Sequence, residues 1–235
     1  MLFMKNKMMK GAHLSERKCK EIVRLFCEDL TATQIADVSG VSRVTINNYL
    51  KLTRTHIAKY CEEHNPRYRM AGAFSFMPVH AGTGPAFADE GLQEEVGWLY
   101  GIARHDKKLF VDLLSRHEYD ELRKLEGNPD YPLYELGAKR QNHYTALADI
   151  SSWKLTKLAC PSLQSSLQDQ DEYDLFWSMT KSRLSKFRGL NRSTAYLHVK
   201  ECEFRYNNRG EDLFKLLSFI IQRRPLHYSK AAGME

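Results

Sequence analysis

The sequence has no close cysteine pair. Cys19, Cys27, Cys61, Cys160 and Cys202 are odd in number and widely spaced, with no CxxC or CxxH among them. That pattern argues against a zinc ribbon and a disulfide framework and fits a reduced cytosolic setting. The cluster His13, Cys19, Cys27, Cys61 and His64 matches no zinc spacing either. Long apolar runs are missing too. The longest, 216–221, is interrupted by Ser218 and falls far short of the ~20 residues a membrane helix needs. Between residues 1 and 10, lysines break every short apolar run, so a signal-peptide core is lacking. A soluble, cytoplasmic protein with no membrane partner is expected. His105, His117 and His143 have no nucleophile pattern beside them, which points to surface histidines.

What the chain does have is enough apolar residue, 43%, for a core of ordinary size, and a charge divided along its 235 residues. Residues 1–70 carry 13 Lys/Arg against 7 Asp/Glu, residues 71–177 carry 10 against 17, and residues 178–235 carry 12 against 5. Two basic ends flank an acidic middle. Basic segments suit a polyanion, because each Lys or Arg that neutralises a phosphate releases counterions.

The first basic end has a helical pattern. Ile22, Val23, Leu25 and Phe26 recur at helical spacing after Ser15, which can cap the helix. In the following segment, 31–50, Ala36, Gly40 and Ile46 fall where a helix-turn-helix needs a small residue, a turn glycine of positive φ and an aliphatic anchor. Ser42 can cap the second helix, with Ile46, Leu50 and Ile57 as its buried stripe. The other side presents Arg43, Val44, Thr45, Asn47, Asn48 and Lys51. Asn can pair with adenine, Arg with guanine, and an aliphatic group can meet the thymine methyl. Such a helix would enter the major groove of double-stranded DNA while Thr33 and Gln34 touch phosphates. Proteins of this design commonly bind as dimers, so a homodimer is expected.

Residues 65–72, beginning Asn65-Pro66, read as a linker. Beyond it, 74–79 is apolar, and Pro78 makes it an edge strand or a strand end. Segments 98–103 and 109–114 read as two strands about a turn at 105–108. A helix is expected over 118–126, a strand over 133–136, and helices over 172–187, 193–207 and 211–221, while 138–170 carries no clear pattern. Trp98, Trp153 and Trp177 read as core residues in preference to base-stacking platforms. Three strands, a helix, a strand and then helices fit an RNase H-like order. The fold class expected is α+β: a helix-turn-helix domain over 1–64, the linker 65–72, and an RNase H-like domain with a helical C-terminus over 73–235.

One stretch is more specific. Phe176-Trp177-Ser178 leads to Leu184, then Lys186-Phe187-Arg188-Gly189, and the helix from Thr194 closes on Glu203-Phe204-Arg205-Tyr206-Asn207. Together with residues 211–217, these roughly sixty residues resemble the C-terminal end of insertion-sequence transposases of the ISXO type. The resemblance implies an RNase H-like domain that cuts and joins element ends with three carboxylates and Mg²⁺. Asp174, three residues before Trp177, takes the place of the third acid, the residual catalytic and metal position. Met77 and Leu136 stand where the first two are expected, and neither side chain can ligate Mg²⁺, which requires oxygen. A transposase-like DNA-binding protein with impaired chemistry is therefore expected. The alternatives are an active enzyme with displaced ligands, Glu135 or Asp89 beside Asp174, and a non-enzymatic transcriptional regulator. Arg183, Lys186, Arg188 and Arg192 form a basic cluster that reads as a phosphate track.

Overall fold

The computed structural model describes residues 6–10, 13–66, 98–126, 144–158, 167–187, 190 and 192–227. Among them the protein is mixed α+β, with seven helices and a four-stranded antiparallel sheet. The chain divides into two compact units, Met1–Glu63 with Asn208–Glu235, and His64–Asn207.

The first unit is mostly helical. Strand β1 (Met9–Lys10) precedes α1 (Glu16–Cys27), α2 (Ala32–Ser39) and α3 (Arg43–His64). Helix α1 starts where Ser15 accepts a hydrogen bond from the Lys18 N–H, and it buries Cys19, Ile22, Val23 and Phe26. That stripe follows from apolar residues spaced three and four apart. The chain then returns at its other end. Helix α7 (Leu213–Arg223) packs on α1 and buries Leu217 and Ile221. Arg24 on α1 lies over the Phe214 ring at 4.8 Å. His56 Nε2 of α3 is 2.9 Å from the Arg224 carbonyl, and Arg224 also pairs with Glu63. Strand β6 (Leu226–His227) lies parallel to β1, with Met9 opposite Leu226.

The sequence reading ran the second domain through residue 235. The structure instead groups the residues from Asn208 on with the N-terminal helices, because α7 packs on α1 and buries Leu217 and Ile221.

The second unit holds the sheet. Strands β2 (Leu99–His105) and β3 (Lys108–Leu113) form the expected hairpin about Asp106. Helix α4 (Arg116–Arg123) follows, with Ser115 and Glu118 as a reciprocal capping box. Strands β4 (Tyr144–Asp149) and β5 (Lys154–Lys157) come from the stretch that carries no clear pattern in sequence. The sheet order is β3-β2-β4-β5. Leu99, Ala103, Tyr144 and Leu147 form one core cluster with Tyr119 and Leu122 of α4. Gly101 is obligatory in β2: a Cβ there would stand 2.5 Å from the Tyr144 ring. The expected strands over 74–79 and 133–136 lie outside the described residues, as do most of the linker, Met77, Asp89, Glu135, Leu136 and Arg188.

Helix α5 (Leu167–Leu184) starts five residues earlier than its sequence signals suggest, and α6 (Arg192–Asn207) closes the unit against β3 and α5. Every residue from Val199 to Tyr206 is buried. A helix so enclosed must pair its charges. Glu201 accepts from Arg183 of α5 and from Arg205, and Lys200 is bonded to Glu203 at 2.8 Å. Helix α6 also closes the open edge of the sheet. The Leu109 N–H and carbonyl bond the Asn207 side chain, and the Val111 N–H donates to Glu203. These bonds occupy edge-strand groups that would otherwise template pairing with another chain.

Two measurements test this account. Leu217→Ala should destabilise the first unit by roughly 2–5 kcal/mol, seen as lost hydrogen-exchange protection in α1 with the β2 and β4 amides unaffected. Glu201→Gln should cost the second unit about 3–5 kcal/mol, since Arg183 and Arg205 would keep buried charge without its counter-ion. A denaturant midpoint unchanged by Glu201→Gln would contradict the ion-pair argument.

Candidate nucleic-acid interface

The residues singled out from sequence for a polyanion lie largely on α2 and α3 of the first unit. Thr31 caps α2, accepting from the Gln34 N–H while the Gln34 side chain accepts from the Thr31 N–H at 2.9 Å. Gly40 ends α2 at φ +67° and bonds the Ala36 carbonyl at 2.9 Å. A β-carbon would meet nothing within 4 Å, so glycine is required by the backbone conformation and not by space. Ser42 begins α3, its Oγ accepting from the Thr45 N–H at 3.2 Å and lying 2.9 Å from Thr45 Oγ1.

These two caps fix the rotation of α3. Ile46, Leu50 and Ile57 are buried, as expected from their spacing, with Tyr49 and Thr53 between them. Arg43, Val44, Asn47, Asn48 and Lys51 are exposed, and Thr45 is half-buried. Val44 is 72% exposed and Val38 of α2 is 60% exposed, large for isolated aliphatic residues. One guanidinium, two carboxamides, an ammonium and two bare valines thus share the side of α3 and the α2 end that faces solvent. This set can donate to, accept from and make apolar contact with a planar polar partner.

The remaining residues singled out from sequence divide sharply. Thr33 and Gln34 are exposed, but the Gln34 carbonyl oxygen is engaged by Thr31, so only its amide N–H groups are left to donate. Ser42 acts as a helix cap. Arg183 is a correction. Its side chain is 9% exposed and is held by Glu201, so it cannot form part of a surface phosphate track. The basic cluster pattern misled because one of its members was recruited to neutralise a buried acid on α6. Lys186 is exposed.

Asp174 lies on α5 with its side chain 61% exposed, and Lys157 of β5 bonds it at 2.6 Å. Among the described residues no three His, Cys, Asp or Glu side chains converge in a way that could hold a metal ion. Glu135, offered from sequence as a possible companion ligand, lies outside the described residues. The cysteines Cys19, Cys27, Cys61 and Cys202 are free thiols, and burial pushes the Cys202 thiol up to about 11, which makes it a poor nucleophile.

One feature near Asp174 was missed from sequence. The β4–β5 turn is built on the Asp149 carboxylate, which accepts from the N–H and hydroxyl groups of both Ser151 and Ser152. Partial burial alone would raise its pKa. Those hydrogen bonds outweigh it and hold the group below the usual carboxylate range. The turn ends in Trp153 at φ +54°, a left-handed conformation that costs a bulky residue on the order of 1–3 kcal/mol. Its ring is 38% exposed, against the expectation of a core residue.

Comparison of the chain with protein-family models, with curated proteins and with solved structures found no match in any of the three. No helix among the described residues is long and apolar enough to cross a membrane.

Gly40→Ala should destabilise the first unit by about 1–2 kcal/mol through the left-handed backbone alone, whereas Gly40→Asn should cost less. Urea denaturation followed by circular dichroism reads the difference, and equal costs for the two would refute the conformational argument.

Proposed function

We propose that this chain is a DNA-binding protein of the transposase lineage that reads duplex DNA with the N-terminal half of α3, in a helix-turn-helix formed by α2, Gly40 and α3. One observation carries the proposal: Ile46, Leu50 and Ile57 are buried while Arg43, Val44, Asn47, Asn48 and Lys51 stand exposed on the opposite side. A solvated helix face ordinarily carries mixed charge. This one has no acid between Arg43 and Tyr60, carries two asparagines, and has an exposed valine as its second residue. Arginine and asparagine are the residues that pair bidentately with guanine and adenine edges, and a valine suits the thymine methyl. Lys51, two turns along, is placed for a phosphate. The basic charge of residues 1–70 supplies the sequence-independent part of the affinity. A pair of such units on two chains would take half-sites about one helical turn apart.

The lineage rests on the residues from Phe176 to Asn207 that resemble ISXO-type transposases, and with it goes an RNase H-like ancestry for the second unit. Impaired strand transfer follows from Met77 and Leu136 at positions where that resemblance expects acids. If the chain were active, Mg²⁺ would need Asp174, and Lys157 would first have to leave it.

The test is selection from a random duplex library followed by titration of the selected site. Arg43→Ala or Asn47→Ala should weaken that site by roughly 1–3 kcal/mol and relax the preference at one base pair, while Lys51→Ala should weaken all duplexes alike and flatten the salt dependence. If neither Arg43→Ala nor Asn47→Ala changes affinity or preference, α3 is not the reading element.

A further inference from the structure

Trp153 ends a four-residue turn at the left-handed position where glycine or asparagine ordinarily sits. The turn is held by the Asp149 hydrogen bonds, so the exposed indole is presented on a rigid support. Behind it stands Trp177 of α5, ring centre 6.4 Å away and tilted by 48°, neither edge-to-face nor stacked. Trp177 is 94% buried, being 6% exposed, and its indole N–H has no hydrogen-bond partner among the described residues. Lys181, one turn along α5, places its ammonium 5.5 Å from the centre of the Trp177 ring. Lys154 is exposed immediately after Trp153. The two neighbouring acids are already engaged, Asp149 by its serines and Asp174 by Lys157.

We propose that Trp153, backed by the buried Trp177 and flanked by Lys154 and Lys181, forms a stacking site for an unpaired nucleobase of single-stranded DNA. Every base offers a π face to an aromatic platform, and lysines beside it meet the flanking phosphates. The site belongs to the second unit, whereas the α3 surface belongs to the first. It rests on the reading of this chain as a DNA-binding protein in its biological meaning, but its chemistry can be measured alone.

The experiment uses the full chain and a fluorescein-labelled oligothymidylate of about 15 nucleotides, read by anisotropy. Wild type should bind. Trp153→Phe should bind within a few-fold of it, and Trp153→Gly should bind about tenfold or more weakly. Glycine relieves the left-handed strain, so Trp153→Gly should keep a wild-type thermal midpoint or exceed it, which separates lost stacking from lost folding. Lys181→Gln should weaken binding and reduce its salt dependence. The double variant Arg43→Ala/Asn47→Ala should leave oligothymidylate binding unchanged while losing the selected duplex. Wild-type protein that ignores the oligonucleotide, or Trp153→Gly that binds it as well as wild type does, overturns the stacking site and leaves the α3 reading intact. Retained duplex binding by the double variant overturns the α3 reading and leaves this one standing.

Discussion

Burial of the α6 carboxylates governs the second unit. Glu201 and Glu203 are each about 1% exposed, and an isolated carboxylate in such surroundings would not stay ionised without counter-charge. Glu201 is answered by Arg183 and Arg205, which ties α5 to α6 by charge as well as by packing. Glu203 is answered by Lys200 and the Val111 N–H, which ties α6 to the edge of the sheet. Burial pushes the Glu203 pKa up, and those two bonds oppose it without cancelling it. Ion pairs of this kind are a poor source of net stability, because desolvation offsets much of the attraction. What they do impose is register: shifting α6 by one residue would strand several charges at once. The face of α5 that carries Asp174, Trp177 and Lys181 therefore stands where α6 puts it.

The first unit solves a different problem by a different means. Three helices with a narrow apolar stripe do not enclose a core, and α1 in particular needs a second cover. The cover comes from the far end of the chain, through Leu217, Ile221 and the Arg24–Phe214 contact. The cost of closing so long a loop grows only slowly with its length, so the second unit can be inserted between the two halves without prohibitive penalty. His56 and Glu63 near the end of α3 hold Arg224, so the same C-terminal segment also braces the helix whose other end carries Arg43 and Asn47.

Local signals were legible wherever a residue type had a single physical use. Gly40 at a turn, Ser15 and Ser42 at helix starts, and the apolar runs of β2 and β3 each announce themselves. The exposed side of α3 follows from the same periodicity. The β4–β5 hairpin did not announce itself, because Tyr144–Asp149 is buried on both faces and shows no alternation, and its turn has no glycine, proline or asparagine. Arg183 reads as a surface cation because nothing local marks Glu201 as buried 18 positions away. Nor does sequence separation hint that residues 208–227 belong with α1.

Backbone conformation separates the ordinary from the unusual in this molecule. Four described residues take positive φ: Asp29, Gly40, Asp106 and Trp153. Glycine does so freely, and aspartate tolerates it because its short side chain can bond the local backbone. Trp153 has neither excuse, and a Gly or Asn would have served the turn better. A residue that breaks a local rule without a packing return, half-exposed as this one is, has its explanation outside the fold. Were Trp153 retained for stability, it would be expected to bury its ring and to stack on Trp177. It does neither, standing exposed with its ring tilted by 48° to that of Trp177. That combination places the requirement for tryptophan in what the turn presents to solvent, an aromatic face held in place by Asp149.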